Sequence, residues 1–330
     1  MSDINNISVE KGYVEAFVSP FTDLLEDIEI IKKRKNALIL AHYYQNWAIQ
    51  QAADFIGDSL ALAQKAVSID ADIIIMCGVH FMGETVKILN MNKKVLVPDL
   101  NAGCSLAQSC KEEDLKKFKS EHPDYKIISY VNTTAEVKAI SDIVVTSGNA
   151  VKIVNSLPKE EKILFGPDRN LGRFINEKTG RKMLLWDGAC HVHERFKIDD
   201  ILALKERHPD ALILSHPECK KSIVDISDFT GSTAEMIKFV SNSSAESFII
   251  VTEEGIMNEL RRNFSDKIFI PAPSEFLSSH DYFCNECEYM RLNTLEKLYL
   301  TLKYELPEIT VEPELAAKAK KSIDTMLSLS

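Results

Sequence analysis

The feature that most constrains the fold is an internal repeat that occurs three times along the 330-residue chain. Each copy opens with an apolar run and reaches a hydroxyl residue 17 positions after the residue that closes this run. The three pairs are His42 and Ser59, Tyr130 and Ser147, and His216 and Thr233. Equal spacings between like-placed residues are hard to obtain by chance, so we interpret the chain as a triplicated structure.

Within each copy, apolar runs alternate with helical patterns. The opening runs are Ala37–His42, Lys126–Tyr130 and Ala211–His216. Near-continuous apolar runs are typical of parallel strands that are covered on both faces. We therefore predict an α/β fold of three pseudo-threefold-related α/β/α repeats, with parallel sheets around a central cavity. The predicted boundaries are 1–35 for a lead-in helix, 36–122, 123–208 and 209–293 for the three repeats, and 294–330 for a helical tail.

The composition argues against several functional classes. With 45% apolar and 27% charged residues, the chain resembles a globular protein rather than a disordered one. A net charge of -10 offers no basic stripe for phosphates, so we expect no nucleic-acid partner. The sequence has neither a secretory signal nor an apolar run of membrane-spanning length, so we expect no membrane partner. Seven cysteines, an odd number, are unlike a disulfide framework and favour a cytoplasmic location.

Polar side chains follow the predicted strands, at the edge where parallel α/β sheets bind ligands. They are His42, Tyr44, Tyr130, Asn132, His216 and Glu218, joined by Ser59, Ser147 and Thr233. The three hydroxyl residues stand at predicted helix starts, where they are either ordinary N-caps or parts of an anion site. A helix dipole contributes only about 0.3–2 kcal/mol per charge, so the neighbouring donors would supply most of the binding. The pattern favours a small ligand with more than one anionic group.

A cysteine lies beyond the fourth predicted strand of each repeat. These cysteines are Cys104, Cys190, and either Cys284 or Cys287. Cys77, Cys110 and Cys219 fall at unlike positions and are predicted to be either core thiols or thiols that support the ligands from behind. Soft thiolates select zinc, copper(I) or an iron–sulfur cluster. A [4Fe–4S] cluster normally takes four thiolates, so three would leave one iron open as a Lewis acid. Zinc bound through His191 and His193 is the weaker alternative, and we favour His193 as a polar donor beside Cys190.

Many separate motifs between Ala37 and Asn293 resemble those of the quinolinate synthases. They are His42-Tyr43-Tyr44-Gln45, Gly57-Asp58-Ser59, Asn101-Ala102-Gly103-Cys104-Ser105, Tyr130-Val131-Asn132-Thr133, Thr146-Ser147-Gly148-Asn149-Ala150, Gly166-Pro167-Asp168-Arg169-Asn170-Leu171-Gly172, Gly188-Ala189-Cys190-His191-Val192-His193, His216-Pro217-Glu218-Cys219, Gly231-Ser232-Thr233 and Cys287-Glu288-Tyr289-Met290. The resemblance implies a triplicated α/β/α fold with one [4Fe–4S] cluster. It also implies the condensation of iminoaspartate with dihydroxyacetone phosphate, which releases phosphate and two waters and gives quinolinate for NAD synthesis.

The resemblance further implies roles for individual residues. The implied cluster ligands are Cys104, Cys190 and Cys287, the last because Tyr289-Met290 follows it as in the family pattern. The implied iminoaspartate-binding residues are His42, Ser59, Tyr130, Val131, Asn132, Ser147, His216, Pro217, Glu218 and Thr233. The candidate catalytic residues are Glu218, Tyr44, Tyr130 and His193, with Glu218 as a base whose pKa would need to lie near neutrality. The implied partners are the two substrates and an upstream L-aspartate oxidase.

The alternatives to this interpretation are a non-catalytic iron–sulfur protein and an enzyme with a different metal. A non-catalytic iron–sulfur electron carrier would be expected to have four thiolates and no cavity lined by polar donors. A cluster-based sensor would be expected to carry a basic DNA-binding module, which the charge balance speaks against. A zinc-dependent lyase is the rival among enzymes and would be distinguished by its metal.

Overall fold

The structure is a computed structural model that describes residues 8–273 and 285–330, so the candidate ligand Cys284 lies outside the described residues. The described residues form two compact units. The first contains residues 8–104 and 288–320, and the second contains residues 105–273, 285–287 and 321–330. Over the described ranges, none of the helices is both long enough and apolar enough to cross a membrane.

The first repeat lies in the first unit and alternates strands with helices. Its elements are α1 (Leu24–Arg34), β1 (Ala37–His42), α2 (Trp47–Ala52), β2 (Phe55–Gly57), α3 (Ser59–Val67), β3 (Ile73–Cys77), α4 (His80–Leu89) and β4 (Lys94–Leu96). The strands pair in parallel in the order β2-β1-β3-β4. Ile39, Ile74 and Ile75 on the two central strands are fully buried, as expected for a parallel sheet covered on both faces.

The second unit begins with α5 (Ser105–Ser109) and α6 (Glu112–Glu121), which follow the last strand of the first repeat. The second repeat also lies in this unit, and its elements are β5 (Lys126–Tyr130), α7 (Ala135–Ile140), β6 (Ile143–Val145), α8 (Ala150–Ser156), β7 (Ile163–Gly166), α9 (Arg169–Thr179), β8 (Leu184–Leu185), α10 (His191–Glu194) and α11 (Ile198–Arg207). Its strands again pair in parallel, in the order β6-β5-β7-β8.

The third repeat, also in the second unit, has the same plan. Its elements are β9 (Leu212–Ser215), α12 (Lys221–Val224), β10 (Phe229–Thr230), α13 (Thr233–Asn242), β11 (Ser247–Val251), α14 (Ile256–Asn263) and β12 (Ile268–Pro271). The strands pair in parallel in the order β10-β9-β11-β12. The described residues thus contain three four-stranded parallel sheets of identical order, which confirms the predicted α/β fold class of three α/β/α repeats.

Among the described residues, three helices follow β12, and they are α15 (Glu288–Arg291), α16 (Leu295–Tyr304) and α17 (Pro313–Leu329). Helix α16 packs against α1 within the first unit. The helical tail is interrupted between α16 and α17, and α17 begins at Pro313. Proline suits the first position of a helix, where its missing N–H group has no intrahelical acceptor.

An aspartate fastens the second strand of each repeat to the first. Asp54, Asp142 and Asp228 accept a hydrogen bond from the backbone N–H of Ile39, Ile127 and Ile213 at 2.8, 2.7 and 2.8 Å. The backbone N–H of each aspartate donates to the carbonyl oxygen of the same isoleucine at 2.9 Å. The repeats therefore share a pair of reciprocal bonds as well as a strand order, and we call these three residues the latch aspartates.

The helix starts near the three hydroxyl residues differ from the prediction. Asp58 is the N-cap of α3, and Ser232 forms a capping box at α13, so Ser59 and Thr233 are the first helical residues rather than caps. The prediction that a helix begins directly after Ser147 is wrong, since α8 begins at Ala150. Short polar residues at the N-cap position account for the first two starts. The predicted domain boundaries stay predictions.

Candidate active site around Glu218

A buried carboxylate, Glu218, lies at the centre of a polar cluster in the second unit, where its side chain is 5% exposed. The Tyr130 hydroxyl, at the end of β5, donates to Glu218 Oε1 at 2.7 Å. The Nδ1 atom of His193, on α10, lies 3.0 Å from Glu218 Oε2. His216 Nδ1 lies 3.9 Å from Oε1, and its ring stacks on that of His193 at 4.9 Å. Three of the four predicted catalytic residues, Glu218, Tyr130 and His193, are thus brought together.

The local backbone explains why Glu218 faces inwards. Strand β9 ends at Ser215, and a turn follows in which the Cys219 N–H donates to the His216 carbonyl oxygen at 2.9 Å. The Glu218 N–H donates to His216 Nδ1 at 3.3 Å, and Asn170 Nδ2 donates to the Glu218 carbonyl oxygen at 3.1 Å. Both backbone polar groups of Glu218 are therefore satisfied while the side chain is buried.

Opposing effects act on the ionisation of Glu218. Burial raises the pKa of its carboxyl group, but the charges of His216 and His193 and the hydrogen bond from Tyr130 outweigh it and leave the pKa below its ordinary value. The sequence interpretation required a base whose pKa lies near neutrality, and the pKa of Glu218 is shifted in the opposite direction. The Glu218 carboxylate accepts a hydrogen bond from Tyr130 and faces His193 Nδ1 at 3.0 Å.

The turn that carries Cys190 is held from two sides. The Arg169 N–H donates to the Gly188 carbonyl oxygen at 2.8 Å. A Cβ atom on Gly188 would lie 2.5 Å from the carbonyl oxygen of Pro167 and would also overlap the hydroxyl of Ser109. Gly188 is therefore required by close backbone approach, not by an unusual dihedral angle.

We expect Gly188→Ala to destabilise the second unit by about 1–3 kcal/mol, because the added methyl group meets backbone that cannot move cheaply. The measurement is the midpoint of thermal unfolding followed by circular dichroism. Gly180→Ala is the comparison variant, since a Cβ there meets nothing within 4 Å and its cost is confined to a φ of +67°. An equal or larger loss in Gly180→Ala would contradict the packing argument.

The cysteines fall into two groups. Cys77, Cys110 and Cys219 are buried, whereas Cys104, Cys190 and Cys287 are half-buried. Each member of the second group directly precedes a short helix, namely α5, α10 or α15. Burial raises the pKa of Cys110 to about 12 and raises those of Cys77 and Cys219 as well. The first group forms part of the core, as predicted, and we call the two groups the buried thiols and the half-buried thiols.

The buried thiols should resist alkylation in the folded, metal-free protein. A thiol whose pKa is raised stays protonated at about pH 8, and iodoacetamide attacks only the thiolate. We expect peptide mapping to find label on the half-buried thiols and none on the buried thiols until denaturant is added. Labelling of Cys110 at a rate equal to that of Cys190 would show that the core is open and would contradict the structure.

Cys190, His193 and Glu218 together form a possible metal-binding group. One ligand atom from each residue lies within 4.8 Å of the other two. Thiolate, imidazole and carboxylate are all ligands of Zn²⁺ in proteins. The sequence interpretation placed His193 beside Cys190, and the structure adds Glu218 to that pair.

The predicted site residues of the first unit are positioned as follows. His42 is buried at the end of β1, and its Nδ1 accepts a hydrogen bond from the Tyr44 N–H at 3.1 Å. The two rings lie 4.6 Å apart, and Arg291 donates to the Tyr44 carbonyl oxygen at 2.6 Å. Ser59 is half-buried at the first position of α3. These contacts fix the backbone around Tyr44, the fourth candidate catalytic residue.

The predicted substrate-binding residues of the second unit include a buried polar atom without a partner. Val131 is buried, and its N–H donates to Val145 in the neighbouring strand at 2.8 Å. The Asn132 side-chain oxygen has no hydrogen-bond partner among the described residues. Thr233 is buried at the first position of α13, and Ser147 is half-buried before α8. An unsatisfied buried acceptor is costly, so Asn132 suits a position that a ligand or water completes.

Sequence reasoning missed three buried residues that contact predicted site residues. Asp168 accepts the Cys190 N–H, Thr252 Oγ1 lies 2.9 Å from His193 Nε2, and Glu253 accepts the Cys287 N–H. Asp168 lies in the motif between Gly166 and Gly172, for which the resemblance implies no residue role. The available signal was position, since all three lie within two residues of the end of a third strand.

The fold and the polar side chains around Glu218 define an α/β enzyme built from three parallel-sheet repeats, with ionisable side chains gathered beyond the strand ends. The sequence profile of the quinolinate synthetase A protein (NadA) family matches residues 26–328, and the chain belongs to this family. The resemblance noted in the motifs, and the prediction that the chain is an enzyme of this family, are thereby confirmed.

Individual relatives cover nearly the whole chain. The chain is 51% identical to a quinolinate synthase of Microcystis aeruginosa (strain NIES-843) over 308 residues, which are 93% of this chain and 95% of the relative. It is 53% identical to one of Synechocystis sp. (strain PCC 6803) over 93% of this chain and 96% of the relative. It is 50% identical to one of Synechococcus sp. (strain PCC 6301) over 94% of this chain and 98% of the relative.

Proposed function

We propose that the chain is a quinolinate synthase of NAD biosynthesis that condenses iminoaspartate with dihydroxyacetone phosphate. Quinolinate, phosphate and two waters account for every atom of the two substrates, so no oxidant or reductant is needed. The observation that carries the proposal is the buried Glu218 carboxylate, held by Tyr130 and His193 beyond the strand ends in a chain of this family.

The proposed substrate contacts are supported by the unsatisfied oxygen of Asn132 and by the start of α13. Iminoaspartate carries two carboxylates, which polar donors and free helical N–H groups can receive. Thr233 opens the ten-residue helix α13, and Ser147 lies beyond the strand that pairs with β5. The full proposed set is His42, Ser59, Tyr130, Val131, Asn132, Ser147, His216, Pro217, Glu218 and Thr233.

The proposed proton chemistry uses the residues around Glu218. The ionised carboxylate can accept a proton from carbon next to an imine or carbonyl group, and a positioned base contributes about 10²–10⁴ in rate. Tyr130 is proposed to hold this carboxylate in place, because its hydroxyl donates a hydrogen bond to Glu218 Oε1. Tyr44 and His193 are proposed as the other acid–base groups. A low pKa makes Glu218 a weak base in the absence of substrate. Its strength as a base therefore depends on His216, His193 and Tyr130, which lower the pKa.

We propose Cys104, Cys190 and Cys287 as the ligands of one [4Fe–4S] cluster. The donor set fits, since these are the three half-buried thiols and all precede short helices beyond a fourth strand, whereas the buried thiols are core residues. When bound, a cluster with three thiolates would supply an open iron that acts as a Lewis acid in the removal of a hydroxyl group.

A second candidate is a zinc-dependent lyase, which the grouping of Cys190, His193 and Glu218 favours. Three protein ligands with one open position are typical of catalytic zinc. In that case Glu218 would be a metal ligand and could not serve as the base. The two candidates therefore differ in metal, in sulfide content and in the role of one carboxylate.

The deciding experiment is metal analysis of protein purified without oxygen, together with a quinolinate assay. We expect about four irons and four sulfides per chain and a broad visible absorbance. Quinolinate should form only when both substrates are present. One zinc per chain, no sulfide and activity that zinc restores would contradict the cluster and establish the lyase candidate.

We also propose a cytoplasmic location and transfer of iminoaspartate from an upstream L-aspartate oxidase. The location is supported by half-buried thiols, which a reducing compartment keeps available for a cluster. The transfer is supported by the chemistry of the proposed substrate, because an imine is hydrolysed in water and has to be used soon after it is formed.

A further inference from the structure

Two of the three repeats place a buried carboxyl group at the same position after the third strand. Cys77, Gly166 and Val251 are equivalent by register. They pair with the first-strand residues that directly precede His42, Tyr130 and His216, respectively. The residues two positions further on are Val79, Asp168 and Glu253. All three are buried, but only the last two carry oxygen atoms on their side chains.

Both oxygens of Asp168 are used. Its Oδ1 accepts the N–H groups of Asn170 and Leu171 at 2.8 Å each, which caps α9. Its Oδ2 accepts the N–H of Cys190 at 3.3 Å. One carboxyl group therefore joins the start of α9 to the backbone of a proposed cluster ligand, at a site where the side chain is fully buried.

Glu253 repeats this arrangement in the third repeat. Its Oε2 accepts the N–H of Gly255 at 2.7 Å, just before α14, and its Oε1 accepts the N–H of Cys287 at 3.1 Å. Glu253 is 1% exposed, so water does not compete for these bonds. The same pair of contacts, to the next helix start and to a half-buried cysteine, thus occurs twice at equivalent positions.

We propose that Asp168 and Glu253 are positioning residues that fix the backbone of Cys190 and Cys287, respectively, and so aim the two thiolates at the cluster. The proposal rests on the proposed function for the identity of the bound group. Each carboxyl group contacts the backbone N–H of its cysteine, so each would act through that cysteine. The first repeat has Val79 at this position and hence lacks the carboxyl group there.

Amide variants can separate positioning from capping. Asparagine and glutamine keep the size of the side chain but have only one acceptor oxygen. Asp168→Asn and Glu253→Gln must therefore lose either the contact to the helix start or the contact to the cysteine N–H. Asp168→Ser is a further variant that keeps a helix cap but is too short to span both contacts. Asp228→Asn is the matched control, because this latch aspartate accepts a strand N–H through one oxygen and has no hydrogen bond to a cysteine among the described residues.

The first measurement uses metal-free protein and site-resolved alkylation. We expect Asp168→Asn to raise the iodoacetamide reaction rate of Cys190 several-fold and to leave that of Cys287 unchanged. We expect Glu253→Gln to show the reverse pattern, and Asp228→Asn to change neither. Because the two variants act at separate helices, either one suffices if the other does not fold.

The second measurement is iron loss to a chelator from the loaded protein without oxygen. Outer residues that orient metal ligands typically change affinity about 10–100-fold, so we expect loss to be at least about tenfold faster in both variants than in Asp228→Asn. Equal changes at Cys190 and Cys287 in either variant would show general loosening and overturn the proposal, as would unchanged alkylation. An absence of iron in the unaltered protein would overturn the proposed function alone, since the alkylation pattern is read without metal.

Discussion

Cys104→Ala, Cys190→Ala and Cys287→Ala are each expected to abolish the iron–sulfur cluster and with it quinolinate formation. A cluster with three protein thiolates has no spare ligand, so the loss of one leaves two irons without protein ligands. The half-buried setting of these thiols means that alanine leaves no large cavity in the core. The loss should therefore appear in iron and sulfide content while the midpoint of thermal unfolding of the metal-free protein changes little.

The controls are variants of cysteines that are not proposed as ligands. Cys77→Ala and Cys110→Ala remove buried thiols and should retain the cluster, at a modest cost in stability from the space left behind. Cys284→Ala, outside the described residues, should retain both cluster and activity, because the Tyr-Met pair follows Cys287. A full cluster in Cys190→Ala, or a loss of iron in Cys284→Ala but not in Cys287→Ala, would contradict the assignment.

Glu218→Gln is expected to give a folded, cluster-loaded protein that forms quinolinate about 10²–10⁴ times more slowly. Glutamine can still accept the hydrogen bond from Tyr130, so the fold around β5 is kept. It cannot accept a proton, and it removes the negative charge that His193 faces at 3.0 Å. The measurement is quinolinate formation without oxygen at saturating concentrations of both substrates, normalised to cluster absorbance.

The matched control for this variant is Glu259→Gln. Glu259 is also largely buried in the second unit, but it pairs with Arg262 at 2.5 Å on α14 and has no proposed role in binding or catalysis. We expect its activity to equal that of the unaltered protein. Activity of Glu218→Gln within about threefold of the unaltered protein, far from the range for a lost base, would remove Glu218 from the proposed chemistry.

The strands could be predicted closely because their signal is local. The bounds of β1 and β5 are those read from the apolar runs, Ala37–His42 and Lys126–Tyr130, since residues buried on both faces form unbroken apolar segments. The helix starts were harder, because Ser59 and its neighbour Asp58 are both good caps and only the backbone decides between them.

The candidate site could be predicted only in part, because its contacts join distant segments. Tyr130, His193 and Glu218 were each identified, but no spacing shows that a phenol and an imidazole meet the same carboxylate. The direction of the Glu218 pKa was missed for the same reason, since it depends on two neighbouring histidines rather than on burial alone. Asp168 was missed because its carboxyl group binds backbone N–H groups, so only its position just beyond a third strand, and no residue pattern, pointed to it.

The latch aspartates show which part of the repeat is constant and which part varies. Their bonds to Ile39, Ile127 and Ile213 agree within 0.1 Å, whereas the neighbouring strand-end residues are a histidine, a tyrosine and a histidine. The three repeats therefore share the bonds that join their first two strands and differ in the side chains at the strand ends, as expected of one structural unit repeated three times. Exchange of strand-end residues between repeats would therefore change the chemistry of the rim and leave the strand pairing unaltered.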